Sequence, residues 1–160
     1  MLLTEIFDTD IEIGIITNTN TKFVCNADID NTNYVFDSIL LDNNNIKVEY
    51  LKHFEKEDDI HKTDILDSTV WDVVFGVKTE HDRMYSFYYT KKYNATSVIS
   101  FVKKCIRVLQ KEKHVMWIAF NCIGKRQQLY MKLFKSMLPN AKVYTSKSNY
   151  NVNYSLIKIG

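Results

Sequence analysis

The stretch SVISFVKKCIRVLQKEKHVMWIAFN, Ser97–Asn121, holds a change of hydrophobic period that decides the fold. Val98, Phe101, Val102, Cys105, Ile106 and Leu109 recur at three- and four-residue intervals, with Lys103, Lys104, Arg107 and Lys111 between them. That spacing predicts an amphipathic helix over about 97–112, with Thr96 or Ser97 as its N-cap. Val115–Asn121 is then an almost unbroken apolar run. It is too short for a second helix and predicts a strand buried on both faces.

The pattern continues on the C-terminal side. Gly124 opens a second helix with Leu129, Tyr130, Leu133, Phe134, Met137 and Leu138 on one face, and Pro139 and Asn140 end it. Ala141–Ser146 and Asn151–Ile159 read as a terminal strand pair. On the N-terminal side, Val70–Lys78 and Arg83–Lys91 are rich in β-branched and aromatic residues and predict a hairpin with Thr79–Asp82 at its tip. Two further hairpins are expected, Ile11–Thr17 with Lys22–Ala27 and Tyr34–Leu41 with Ile46–Phe54. A short helix is expected around Leu2–Phe7, and the acidic stretch Glu55–Asp67 reads as a loop. The expected fold is mixed α/β (α+β), a largely antiparallel twisted sheet with a central β-α-β crossover. With four Gly and one Pro there is no evident linker, and 160 residues suit one domain.

Charge is divided along the chain. Residues 1–80 hold seventeen Asp/Glu against six Lys/Arg, whereas residues 81–160 hold two against fifteen, leaving a net charge of only +2. Such a molecule has a basic half suited to an anion or an acidic partner. Lys103, Lys104, Arg107 and Lys111 form one basic helix face, and Lys125 and Arg126 begin another. A protein partner or self-association follows, with nucleic acid as an alternative, since Tyr130, Tyr144, Tyr150 and Tyr154 could stack on bases. Opposite charges on the two halves favour head-to-tail association.

Three cysteines without C-x-x-C spacing argue against a disulfide framework or structural zinc, and Cys105 reads as a core residue. His53, His61 and His114 stand alone without metal-ligand spacing, so no metal is expected. No signal peptide or run long enough to span a bilayer is evident, and membrane insertion is not expected. Neither G-x-G-x-x-G nor G-x-x-x-x-G-K-[ST] occurs. Glu80, His81 and Asp82 place two carboxylates and an imidazole on one turn, a possible acid–base cluster.

Residues 70–160 resemble the core of the GNAT acyltransferase fold in the order hairpin, helix, buried strand, helix, strand pair. The most specific part is the strand Val115–Asn121 followed by Arg126-Gln-Gln-Leu-Tyr130-Met-Lys-Leu-Phe134, similar to the GNAT strand ending in Asn and the helix carrying a Leu-Tyr pair. The resemblance implies that Asn121 contacts the arm of coenzyme A and that Tyr130 protonates the departing thiolate, with Glu80 or Asp82 as base in an active enzyme. Residues 1–69 would then be variable hairpins outside the core. The GNAT pyrophosphate turn corresponds to Thr90–Ser97, which has no glycine, although Lys91, Lys92, Thr96 and Ser97 could contribute charge and donors.

These features are similar to those of small GNAT-like proteins of tailed bacteriophages. The resulting expectation is an accessory or virion-associated protein, non-catalytic and using no cofactor, located in the host cytoplasm or the virion. The alternative is an acetyl-CoA-dependent N-acyltransferase acting on a cationic amine.

Overall fold

The computed structural model describes residues 11–54, 62–78, 85–86, 95–123, 126–147 and 152–159. It is a mixed α+β fold. The hydrogen-bonded strand order is β1 (Gly14–Asn18), β2 (Lys22–Ile29), β3 (Thr32–Leu40), β4 (Val70–Lys78), β6 (Trp117–Ile123), β8 (Val152–Lys158) and β7 (Lys142–Lys147). The two-residue β5 (Tyr85–Ser86) pairs with β4. Four α-helices are described: α1 (Asn44–Leu51), α2 (Lys62–Leu66), α3 (Ala95–Glu112) and α4 (Arg126–Met137). A parallel pair, β4 and β6, is linked through α3, so the expected central crossover is present. The expected N-terminal helix at Leu2–Phe7 lies outside the described residues.

The chain divides into two compact units. The first comprises residues 1–38 and 74–113. Its β1–β2 hairpin turns where Thr19 N–H donates to the Lys22 carbonyl at 2.8 Å, as the sequence predicts. The register then steps from Ile15 opposite Cys25 to Thr17 opposite Val24, so Ile16 is an inserted residue, a β-bulge. The β2–β3 connection was not anticipated. Asp30 and Asn31 have φ of 50° and 64°, the left-handed pair required by a two-residue hairpin turn of type I′. Asp and Asn are among the few residues that tolerate it without glycine.

Within this unit Phe23, Cys25 and Phe36 on the strands, and Phe101, Cys105, Ile106 and Leu109 on α3, are all buried. The apolar side of α3 is therefore the one its periodicity marks. Burial holds the Cys105 thiol well above its ordinary value, so it packs as a protonated, apolar group. The helix begins at Ala95, which corrects the expected cap: Thr96 and Ser97 both lie inside its first turn. Gly76 in β4 has φ of 143°, backbone that an L side chain rarely adopts.

The second unit comprises residues 39–73 and 114–160. Here the expected Tyr34–Leu41/Ile46–Phe54 hairpin is overturned. Residues 44–51 are helix α1 and Lys52–Phe54 a 3₁₀ turn. Asn43 is the N-cap, its side-chain oxygen accepting the Asn45 N–H at 2.8 Å. The alternating Ile46 and Val48 suggested a strand, yet both are exposed, at 49% and 37%. Lys47 and Leu51, four residues apart, are the buried pair. Lys47 Nζ donates to the carbonyls of Ser68 at 2.8 Å and Leu66 at 3.3 Å, satisfying acceptors at the end of α2. Part of the Glu55–Asp67 loop is thus helical.

The sheet of this unit contains β4 paired parallel with β6 from Val70–Trp117 to Asp72–Ala119. β6 pairs antiparallel with β8 over seven positions, and β8 with β7. Leu41, Leu51, Phe54, Ile65, Val70, Trp117, Ala119, Tyr144 and Leu156 form one buried cluster on one face. Phe134 of α4 meets Phe120 with ring centroids 5.7 Å apart, and Phe120 alternates with Ala119 onto the opposite face. The prediction of a strand buried on both faces, followed by a covering helix, holds.

Candidate active site

Two successive rows of side chains on one face of the second unit's sheet define the site. Register places Asp72, Ala119, Leu156 and Tyr144 in one row, and Asn121, Tyr154 and Ser146 in the next. Directly opposed residues share a face, with Cα atoms about 4.5–5.5 Å apart in an antiparallel pair. Asn121 and Tyr154 are therefore neighbours on the same face. Asn121 is exposed, and Tyr154 is half-buried.

Helix α1 and the 3₁₀ turn bring two more rings to that face. His53 stacks on Tyr154 with centroids 3.7 Å apart and planes 10° from parallel. Tyr50 meets Tyr154 edge-on at 5.7 Å and stacks on Phe54 at 6.0 Å. The Tyr50 hydroxyl accepts the Phe120 N–H at 3.0 Å and lies 2.8 Å from the Phe120 carbonyl and 3.0 Å from that of Ser155. One phenolic proton serves both carbonyls, so this hydroxyl ties α1 to β6 and β8 at once. Burial, and next the negative charge of Asp72, push the Tyr50 hydroxyl well above its usual value. It remains a protonated donor.

Several residues singled out from sequence lie elsewhere. Glu80, Asp82, Lys91, Lys92 and Lys125 are outside the described residues. Tyr130 and Arg126 lie in α4, in the same unit as Asn121, and Thr96 lies in α3; the side chains of these three are outside the described set. Ser97 is half-buried in α3. Lys103, Lys104, Arg107 and Lys111 lie on α3, where Arg107 and Lys111 are exposed and Lys104 donates to the Ile11 carbonyl. Sequence reasoning passed over Asp72 and Tyr50, and set His53 aside as a lone histidine. The last two were hidden because 46–54 reads as a strand, which would have put them on a different element altogether.

No family model and no curated protein matches the sequence. Among solved structures the chain is similar to AAC(6')-Ib in complex with ribostamycin and coenzyme A, at 8% identity and TM-score 0.45, covering 88% of this chain and 65% of that one. A second complex of that protein, with acetyl-CoA, also matches at 8% identity and TM-score 0.45, covering 88% and 66%. FeeM, an N-acyl amino acid synthase from uncultured soil microbes, matches at 12% identity and TM-score 0.41, covering 87% and 72%. This chain thus spans just under two thirds of the length of AAC(6')-Ib. These neighbours are GNAT-fold proteins, and the sheet of this chain is mixed and mostly antiparallel. The expectation of no cofactor is withdrawn, because two of the matched structures hold coenzyme A or acetyl-CoA. Among the described residues, no helix is long and apolar enough to cross a membrane.

Proposed function

We propose that the chain is a GNAT-like N-acyltransferase that takes its acyl group from acetyl-CoA and delivers it to an amine on a cationic acceptor. The observation that supports this reading is the position of Asn121. It lies two residues beyond Ala119, where the parallel pairing with β4 is last in register, and its carboxamide is exposed on the strand leading to Tyr130. A carboxamide supplies both a donor and an acceptor, the complement of the amide groups in the arm of coenzyme A. The bound thioester would supply an activated acyl group. The chain would orient that group through Asn121, and Tyr130 would donate a proton to the departing sulfur.

Calorimetric titration with acetyl-CoA tests the reading. The expected result is saturable binding with micromolar Kd, weakened about tenfold in Asn121→Ala by loss of about one hydrogen bond's worth of free energy. Absence of binding by the unaltered chain refutes it.

A second reading is favoured by Arg107 and Lys111, which are both exposed and one turn apart on α3. In an accessory or virion-associated role this face would bind an acidic protein surface or the acidic half of another copy. Self-association would then weaken as salt rises, and a sedimentation profile identical at low and high salt removes the self-association form of this reading. If the partner is DNA, neutralising Lys103, Lys104 and Arg107 abolishes binding and flattens its salt dependence.

A further inference from the structure

His53 differs from its neighbours in how it is held. Tyr50 is fixed by three hydrogen bonds to backbone groups. His53 is held by ring contacts alone, stacked on Tyr154 and edge-on to Tyr50 at 6.3 Å. Among the described residues its imidazole makes no hydrogen bond. It is only half-buried, and Tyr154 beneath it is the cross-strand neighbour of exposed Asn121. The stack fixes the plane of the ring while leaving its two nitrogens to meet a ligand.

We propose that His53 and Tyr154, beside Asn121, bind the acyl acceptor and that His53 takes the proton the acceptor amine loses. This inference rests on the acyltransferase reading and adds the acceptor side to it. The surroundings fit an alkylammonium group. Tyrosine rings are electron-rich on their faces, and the Asp72 carboxylate lies on the same side of the sheet, where its charge is felt at the Tyr50 hydroxyl. The protons balance. The bound ammonium first releases one proton to bulk water, which frees the nitrogen lone pair. The amine nitrogen then gives a second to His53 as it bonds the acyl carbon and the carbon–sulfur bond breaks, the leaving sulfur gains one from Tyr130, and both residues reset through water. A positioned base of this kind contributes about 10²–10⁴ in rate.

Spermidine serves as the amine probe, in two measurements. In the first, imidazole NMR signals of the chain without acetyl-CoA are followed as spermidine is added. The His53 signals, identified by their loss in His53→Gln, are expected to shift saturably, and unmoved signals overturn the site. In the second, thiol release from acetyl-CoA is followed. The expected outcome for His53→Gln is a kcat lower by about a hundredfold or more, with spermidine KM within about threefold and acetyl-CoA binding unchanged. Full kcat in His53→Gln, or no thiol release by a wild-type chain that binds acetyl-CoA, overturns the proposal. Failure of the wild-type chain to bind acetyl-CoA instead defeats the acyltransferase reading, while the NMR shift still reports whether the site takes amines.

Discussion

The Tyr50 hydroxyl stands 2.8 Å from the carbonyl of Phe120, a residue seventy positions further along the chain, and accepts that residue's own N–H. A helix side chain thereby completes hydrogen bonding in the interior of a sheet. Tyr50→Phe keeps the ring and its packing but removes the hydroxyl. It is expected to destabilise the fold by about 1–3 kcal/mol, because polar backbone groups lose their partner. Chemical denaturation of the two proteins checks this.

The same hydroxyl sets a pH dependence. Its folded-state pKa is raised, so the folded chain keeps the proton where the unfolded chain releases it. The contribution is fully present below the ordinary tyrosine value of about 10 and declines as pH rises above it. The stability difference between wild type and Tyr50→Phe should therefore shrink above that pH. A difference that stays constant in denaturation curves up to strongly alkaline pH contradicts the assignment.

Lys47 places an ammonium in the interior, against the carbonyls of Leu66 and Ser68. Lys47→Met fills nearly the same space without donors. The expected cost is about 1–3 kcal/mol from the two unsatisfied acceptors, and faster amide exchange at α2 would localise it.

Gly76→Ala forces a Cβ onto backbone at φ 143°. A loss of about 1–3 kcal/mol is expected from the strain alone, read as a lowered midpoint in urea.

Asn43→Ala removes the side-chain acceptor at the start of α1. About 1 kcal/mol should be lost. Since α1 carries Tyr50, and His53 lies in the 3₁₀ turn that follows it, amine binding should weaken with it, as the NMR titration with spermidine would show.

The C-terminal half was legible because burial and periodicity coincide there. Leu109, Ile106 and Phe101 are buried at the helical spacing that marks them, and Trp117–Phe120 are buried on both faces. The failure at residues 46–54 has a physical cause. Ile46, Val48 and Tyr50 alternate like a strand, but the helix is fixed by the Asn43 cap and by burial of Lys47, a residue no hydrophobicity pattern places inside. The site suffers from the same error. The Asn121–Tyr154 pairing follows from two strands the sequence shows, whereas the arrival of His53 over Tyr154 depends on that misread helix.

The bulge at Ile16 has a consequence for solubility. Among the described residues β1 stands at one end of the strand order, and an unpaired backbone edge invites another chain to add itself. Ile15 and Ile16 are exposed at 51% and 57%, side chains that would favour such growth. The extra residue breaks the even spacing of donors and acceptors, so an incoming extended chain cannot run in step past it. One inserted isoleucine thus makes a sticky border a poor template for aggregation.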